Sequence, residues 1–287
     1  MRQLDYFIEE AYDGVRVEDY LMRTHGFSRR IVSRLKREPE HIRLNGTHVR
    51  MVDILHTGDT LTVILDETSR LLPNGALNVP IVYEDDDLIL FNKPHGMPVH
   101  PSIAHYEDTL GNFFTYHMQT QGQDLLFRPV NRLDANTTGL CLVAKHALSA
   151  KLLAQSVDKQ YTAVLCGLLP NDSGTINAPI ARESDTIIKR RVSPDGQPSI
   201  TEYTVERRAN GYTLVRVHLL TGRTHQIRVH FSHLGYPLAG DDLYGGSTRD
   251  LPHQALCCNR LTFTHPTTHQ AMTFCINLPK EIEKLIN

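Results

Sequence analysis

Arg132-Leu133-Asp134-Ala135-Asn136-Thr137-Thr138-Gly139-Leu140, running on into Cys141-Leu142-Val143-Ala144, is the stretch on which the reading of this chain turns. An acid stands two residues after a base at the mouth of a polar turn, and the turn feeds an apolar run. Such a turn exposes the acid at a rim while the strand behind anchors it. In extended chain, side chains at i and i+2 point the same way. Arg132 and Asp134 are therefore expected to face one site, with Leu133 turned into the core. A second segment, Thr221-Gly222-Arg223-Thr224-His225-Gln226-Ile227-Arg228-Val229-His230, gathers polar and basic groups at the start of a helical pattern. Ile227, Phe231 and Leu234 fall at i, i+4 and i+7, which predicts a helix over 225–234.

Bulk composition bounds the answer without naming it. The 287 residues are 40% hydrophobic and 22% charged, ordinary globular values for a length that suits about two domains. The net charge is −2, so any nucleic-acid site must come from local clustering of Lys and Arg. Five cysteines, Cys141, Cys166, Cys257, Cys258 and Cys275, form an odd set without paired metal spacing. That speaks against a disulfide framework or a zinc ribbon and for reduced thiols in the cytoplasm. The first residues carry early acids and no apolar signal core, and no stretch approaches the ~20 apolar residues of a membrane helix. Neither secretion nor membrane association is expected.

Three regions follow from the patterning: 1–65, a linker at 66–79, and 80–287. In the first, Val17, Tyr20 and Leu21 recur at helical spacing. Ser28 is placed to cap a second helix whose apolar face is Ile31, Val32 and Leu35. Arg30, Arg34 and Arg37 repeat along that helix at i, i+4 and i+7, with Arg29 and Lys36 beside them. Asn45-Gly46 between Ile42-Arg43-Leu44 and His48-Val49-Arg50 signals a tight hairpin, and Gly58-Asp59 turns into a strand at Leu61–Leu65. Residues 14–65 hold nine Lys and Arg against six Asp and Glu, a local charge of +3. On charge alone the stripe fits a solvated helix face. The order of elements, however, resembles the small RNA-binding domain of ribosomal protein S-four, which implies RNA contact through Arg29, Arg30, Arg34, Lys36 and Arg37.

Beyond the linker the pattern is rich in β-structure, with strands predicted at 80–83, 88–92, 139–144, 161–167, 201–206 and 212–219. Helices are predicted at 146–157, with Leu148, Leu152 and Leu153 on its face, and at 280–286. Strands in neighbouring runs with few helices predict an α+β fold built on a mixed, mostly antiparallel sheet.

On residues alone, Asp134 equally suits a turn cap, Tyr161 a strand start, and Arg223 a solvent- or phosphate-facing arginine. The combination decides otherwise. Arg132-Leu133-Asp134 with Thr138-Gly139-Leu140, Lys159-Gln160-Tyr161-Thr162-Ala163, Gly222 to Arg228, Gly235 to Asp241, Leu243-Tyr244-Gly245 and Lys93-Pro94-His95-Gly96 together resemble the RluA-type RNA pseudouridine synthases. The resemblance runs from about Gly14 to Asn287. It implies isomerisation of specific uridines in structured RNA, ribosomal RNA first and transfer RNA as the alternative, with no cofactor and no metal. It implies Asp134 as the catalytic aspartate, Arg223 as its ion-pair partner and Tyr161 as the active-site tyrosine. Arg132 would take the place of the flipped base, and Thr224, His225 and Gln226 would line the substrate. The family usually has His where this chain has Asn131.

That chemistry suits these residue types. A uracil must leave the stack, its bond to ribose must loosen, and the freed base must turn in place. A free aspartate carboxyl is ionised at neutral pH and can attack or stabilise a cationic sugar. A glycoside hydrolase would need a second acid or an activated water, and no paired acid accompanies this motif. A silent RNA-binding protein would not need Asp134, Tyr161 and Arg223. His225, His230 and His233, at i, i+5 and i+8, lack the i, i+4 spacing of helical metal ligands. A monomer is expected.

Overall fold

A computed structural model describes residues 2–65, 71–102, 104–183 and 188–287. The first part of the expected linker, 66–70, lies outside these. Among the described residues, no helix is long and apolar enough to cross a membrane.

Residues 2–65 build a four-stranded antiparallel sheet in the order Arg2–Phe7, Thr60–Leu65, Ile42–Leu44, Thr47–His48. The expected hairpin forms on Asn45 and Gly46, both with positive φ (50° and 84°), as a two-residue turn between twisted strands demands. Ser28 caps the helix Arg29–Leu35, its hydroxyl accepting from the Ile31 amide at 3.3 Å. Ile31, Val32 and Leu35 enter a cluster with Val17, Leu21, Leu61 and Val63.

The remainder forms a ten-stranded sheet. Its main path runs Ser173–Asn177, Ile200–Ala209, Tyr212–Leu219, Asp158–Cys166, Leu256–Thr264, Thr138–Ala144, Leu88–Lys93, Ile81–Glu84. Neighbours are antiparallel except at one place, where Cys257 and Cys258 pair in parallel with Thr138 and Gly139. Every residue of Thr138–Ala144 is buried, as its unbroken apolar run requires of a strand covered on both faces. Gly139 explains the Thr-Gly-Leu spacing. At φ 109°, a Cβ on it would stand 2.3 Å from the Cys258 carbonyl oxygen, so only glycine lets these two strands meet. Cys257 and Cys258 do lie in a strand, and both are buried.

The observed strands extend the expected ones by up to three residues. Several elements carried no readable signal: the helix Leu110–Thr120, the strands Leu256–Thr264 and Ala271–Cys275, and the ribbon of Ile180–Arg182 with Arg190–Val192. Asn259 and Arg260 interrupt the apolar pattern of the central strand at a register shift, where no sequence period survives.

The helix Ala147–Ser156 has two faces rather than one. Leu148 and Leu152 pack with the N-terminal cluster, whereas Leu153 enters the main core. Around it, Lys151 Nζ donates to the Gly26 carbonyl, and Arg2 reaches Asp86 at 3.0 Å and Asp87 at 3.5 Å. Expected as a continuous RNA-facing stripe, the arginines of Arg29–Leu35 divide. Arg29, Arg30, Lys36 and Arg37 are exposed, but the Arg34 side chain is only 19% exposed and turns to Glu38 at 3.8 Å. Seven residues on from Arg30 the helix has ended, and Arg37 closes back on the Ser33 carbonyl.

Asp87 is the buried acid of this junction. Burial alone would raise its pKa, but hydrogen bonds from His146 and Thr267, with the His146 and Arg2 charges, hold it down at about 2. A folded-state pKa below the unfolded value of 3.8 gives stability that is fully present above pH 4 and lost as pH falls toward 2. Asp87→Asn is expected to lower unfolding free energy by about 2 kcal/mol at pH 7 and to flatten acid unfolding between pH 4 and 2. Denaturant titrations at pH 7 and pH 3 measure this, and equal losses at both pH values would contradict it.

Candidate active site

Asp134 opens a turn closed by the Thr137 amide donating to its carbonyl at 3.0 Å. Leu133 is buried at 7% exposure while Arg132 is exposed, so the alternation read from the sequence holds. Asn131 is buried in the position where a histidine was expected. Its Nδ2 donates to the Leu140 carbonyl at 3.0 Å, and its Oδ1 accepts from the Leu142 amide at 2.8 Å. It therefore pins the turn that bears Asp134 to the strand that follows. Lys93, fully buried, does the same from the other side. Its ammonium donates to the carbonyls of Pro94, Met97 and Ala135 at 2.7–2.8 Å. Burial pushes its pKa down to about 8, with the nearby Asp134 carboxylate opposing the shift.

The partner of Asp134 is Arg228, a correction to the expectation that it would be Arg223. Arg228 Nη1 donates to Asp134 Oδ2 at 3.0 Å. Arg223 stands in the exposed loop, with its Nε donating to the Pro198 carbonyl at 3.3 Å. The physical reason is position on the helix Gln226–His233. Arg228 lies inside it on a buried face, whereas Arg223 precedes it. Arg228 is held rigidly: Nε and Nη2 form a fork onto Asp241 at 2.7 and 2.8 Å, and its guanidinium lies 4.9 Å from the centre of the Tyr244 ring. Burial opposes the Arg228 charge, but the hydrogen bonds and charges of Asp241 and Asp134 outweigh it and drive its pKa up. The Asp241 side chain is wholly buried. Both segments had been singled out by their residues, but nothing in one sequence pairs Arg228 with Asp241 thirteen positions on.

Gln226 departs from its expected role as a substrate ligand. Its Oε1 accepts from the Arg223 amide and the Thr221 hydroxyl, and its Nε2 donates to the Ile200 carbonyl and Thr201 Oγ1. A carboxamide so engaged, at 2% exposure, closes the loop instead of meeting a ligand. His225 sits between this loop and the helix in the left-handed region, φ 58° and ψ 19°. For a residue other than glycine that costs of order 1–2 kcal/mol, a strain that gathers at functional sites. Its Nε2 is 3.8 Å from Asp134 Oδ2.

Tyr161, Leu133, Thr137, Leu219, Ile227 and Leu256 complete a small pocket around Asp134. The Tyr161 phenol is buried, which raises its pKa well above 10; the Asp134 charge pushes the same way. It is therefore a neutral hydrogen-bonding ring at neutral pH, not a phenolate. A second cleft of about 390 Å³ adjoins the pocket, with Arg132 and Arg223 lining both and Thr224, Arg182 and Arg190 on its walls. That volume accepts a nucleotide-sized group. His230 is bound to Thr201 and the Ala178 carbonyl and His233 is exposed, so the three helix histidines do not converge.

Comparison with known proteins adds four findings. A sequence profile of the RNA pseudouridylate synthases matches residues 87–233, which include Asp134, Tyr161 and Arg228. An uncharacterized RNA pseudouridine synthase of Bacillus subtilis, YjbO, is 38% identical over 91% of this chain and 95% of its own. A ribosomal large subunit pseudouridine synthase D of Pseudomonas aeruginosa is 37% identical over 85% of this chain and 82% of its own. Among solved structures, the human RNA pseudouridylate synthase domain containing 1 superposes with a TM-score of 0.59 at 27% identity, covering 73% of this chain and 87% of that one.

Arg228→Lys keeps a charge but cannot hold two carboxylates in one plane. The rate of the reaction at saturating substrate is expected to fall roughly 10²-fold. Asp241→Asn leaves part of a buried guanidinium unpaired and is expected to cost about 3 kcal/mol of stability. Single-turnover kinetics and thermal unfolding check the two. An Arg228→Lys rate within twofold of the parent would refute the pairing's importance.

Proposed function

The chain belongs to the RNA pseudouridine synthases, isomerases that convert uridine in RNA to pseudouridine, and from that membership we propose that Asp134 carries the chemistry in the pocket it shares with Tyr161 and Arg228. One observation supports this above the others. Asp134 is an anchored carboxylate, its Oδ2 held by Arg228, at a pocket with an aromatic wall.

Uridine and pseudouridine have the same atoms, so the reaction consumes no water and needs no electron carrier. The bond from ribose C1′ to uracil N1 breaks, the base turns, a bond from C1′ to C5 forms, C5 loses its proton, and N1 takes one up, so that the atoms balance. Asp134 would serve either by attack on C1′, departing again when C5 bonds, or by assisting elimination to a glycal. Arg228 keeps the carboxylate aligned and charged in both routes. Tyr161 would stack on the base and keep it from escaping, and Arg132, exposed at the rim, would fill the gap left in the RNA stack. Arg223 and Thr224, on the wall of the adjoining cleft, would meet the neighbouring nucleotide. Hydrolysis fits less well. The second acid nearby, Asp241, has both oxygens engaged by Arg228 and cannot activate a water.

The substrate proposed is ribosomal RNA, on the strength of the Pseudomonas aeruginosa relative's name, with transfer RNA as the alternative. The enzyme would act as a monomer in the cytoplasm, where free thiols such as Cys141, Cys257 and Cys258 persist. The N-terminal unit would serve as an S-four-like RNA-binding domain through Arg29, Arg30 and Arg37. Mapping pseudouridine at nucleotide resolution in cells with and without the protein tests the whole reading. Loss of one or more ribosomal sites is expected, and loss confined to transfer RNA would shift the substrate.

Asp134→Asn keeps the shape and removes the charge. Product is expected to fall below detection while RNA affinity stays within about threefold, since phosphate contacts supply most of the binding. Substantial turnover would remove Asp134 from the chemistry. Replacing Arg29, Arg30 and Arg37 by Gln is expected to lower the log-log salt slope of RNA binding by up to about two on single-stranded contacts, with little change in turnover at saturation. An unchanged slope and affinity would mean the face is only solvated.

A further inference from the structure

Behind His225 stands a group that no expectation used. The Tyr244 hydroxyl lies 2.8 Å from His225 Nδ1 and accepts the Arg190 amide hydrogen at 3.0 Å. A phenol has a single proton to give. Among the described residues, His225 Nδ1 is the acceptor within reach of it. With Nδ1 accepting that proton, the hydrogen of the imidazole sits on Nε2. Nε2 faces Asp134 Oδ2 at 3.8 Å, the same oxygen that Arg228 Nη1 engages at 3.0 Å. Among the described residues, the hydrogen bonds and ion pairs to the Asp134 side chain all fall on Oδ2.

We propose that Tyr244 and His225 are positioning residues for Asp134: the Tyr244 hydroxyl sets His225 as an Nε2–H donor aimed at Oδ2, the oxygen that Arg228 holds, and Oδ1 is left to meet the ribose. The inference rests on Asp134 being the reacting carboxylate.

Three observations converge on this role. First, His225 is held in a left-handed conformation by a loop whose closure uses all the capacity of the Gln226 carboxamide, which aims the imidazole away from the ordinary helical direction. Second, Tyr244 serves both partners of Asp134. Its ring lies against the Arg228 guanidinium and edge-on to the His225 ring, whose centroid is 5.7 Å away. Third, burial, ahead of the charges that face it, holds the His225 imidazole below its usual range. Burial lowers its pKa, the Asp134 and Asp241 charges oppose that, and the Arg228 and Arg190 charges reinforce it. At 3.8 Å the contact is longer than a hydrogen bond, so the ring must close to below about 3.2 Å for Nε2–H to donate to Oδ2 beside Arg228. The Arg190 amide joins the ribbon that walls the adjoining cleft to this chain of contacts, so nucleotides seated in the cleft would steady Tyr244 from behind.

The test uses the full chain and in vitro transcribed large-subunit ribosomal RNA. Tyr244→Phe keeps the ring and loses only the hydroxyl. His225→Ala removes the donor, and His225→Gln returns an amide N–H near the place of Nε2. Single-turnover rates at saturating RNA, dissociation constants and thermal unfolding are measured for each and for the Tyr244→Phe, His225→Ala double variant. Tyr244→Phe and His225→Ala are each expected to slow the single-turnover step roughly tenfold to a hundredfold, with RNA affinity little changed. The double variant should lose no more than His225→Ala alone, because the two act as one unit. His225→Gln should recover part of the rate. A folded Tyr244→Phe enzyme with the parental rate overturns the proposal, as do additive losses or a loss confined to affinity. Asp134→Asn runs alongside. If it remains active, the Asp134 reading itself fails; if it is dead while Tyr244→Phe is unaffected, only the positioning role falls.

Discussion

Everything at the site depends on one buried guanidinium. Arg228 meets Asp241 with two nitrogens and Asp134 with the third, over the face of Tyr244. A buried charge of this kind costs several kcal/mol of lost hydration, which a single exposed carboxylate would not offset. Asp241, wholly buried and bidentate, is what makes the arrangement stable. Asp134 can then remain half open to the pocket and still be held at one oxygen. The difference between the two acids is thus set by environment: one is sealed behind the arginine as a counter-charge, the other faces the pocket.

That guanidinium is placed by backbone, and the backbone by close contacts. The strand Thr138–Ala144 approaches Leu256–Thr264 only because Gly139 has no side chain to strike the Cys258 carbonyl. The same approach brings the catalytic turn beside the strand bearing Tyr161, since Asp158–Cys166 pairs with Leu256–Thr264 on its other edge. Asn131 and Lys93 then tie the turn to the Leu140 and Leu142 backbone and to the loop of Pro94 and Met97. Pinning by buried polar groups to carbonyls and amides is costly to break, because each freed group would stay buried without a partner. Under the proposed chemistry, in which the Asp134 carboxylate meets the ribose, such stiffness would favour the reaction.

Much of the scaffold was legible in one sequence because its signals are local. Ser28 before an apolar helix face, Asn45-Gly46 between short strands and the run from Leu140 to Ala144 each carry their meaning within a few residues. The strand Leu256–Thr264 was not legible, because it sits in the middle of the sheet with a register shift at Asn259 that destroys its period. Arg34 was misplaced for a related reason. Helical spacing put it in line with Arg30, but the neighbouring Glu38 and its own burial took it out of the exposed face.

At the site the boundary is sharper still. The sequence by itself singled out residue types that the pocket gathers: an aspartate after a polar turn, a tyrosine at a strand start, and an arginine-rich loop before a helix. Alternation in extended chain was enough to send Leu133 inward and leave Arg132 and Asp134 facing out. Which arginine would hold Asp134 was decided only by tertiary structure. Arg223 and Arg228 are five residues apart and chemically identical, and the choice between them depends on where Asp241 and Tyr244 are brought by a turn that no periodicity describes. The same is true of His225 and Gln226, adjacent in the chain but opposite in use. Hydrogen-bond capacity is assigned by what lies across the fold, and that information exists only once the chain has closed on itself.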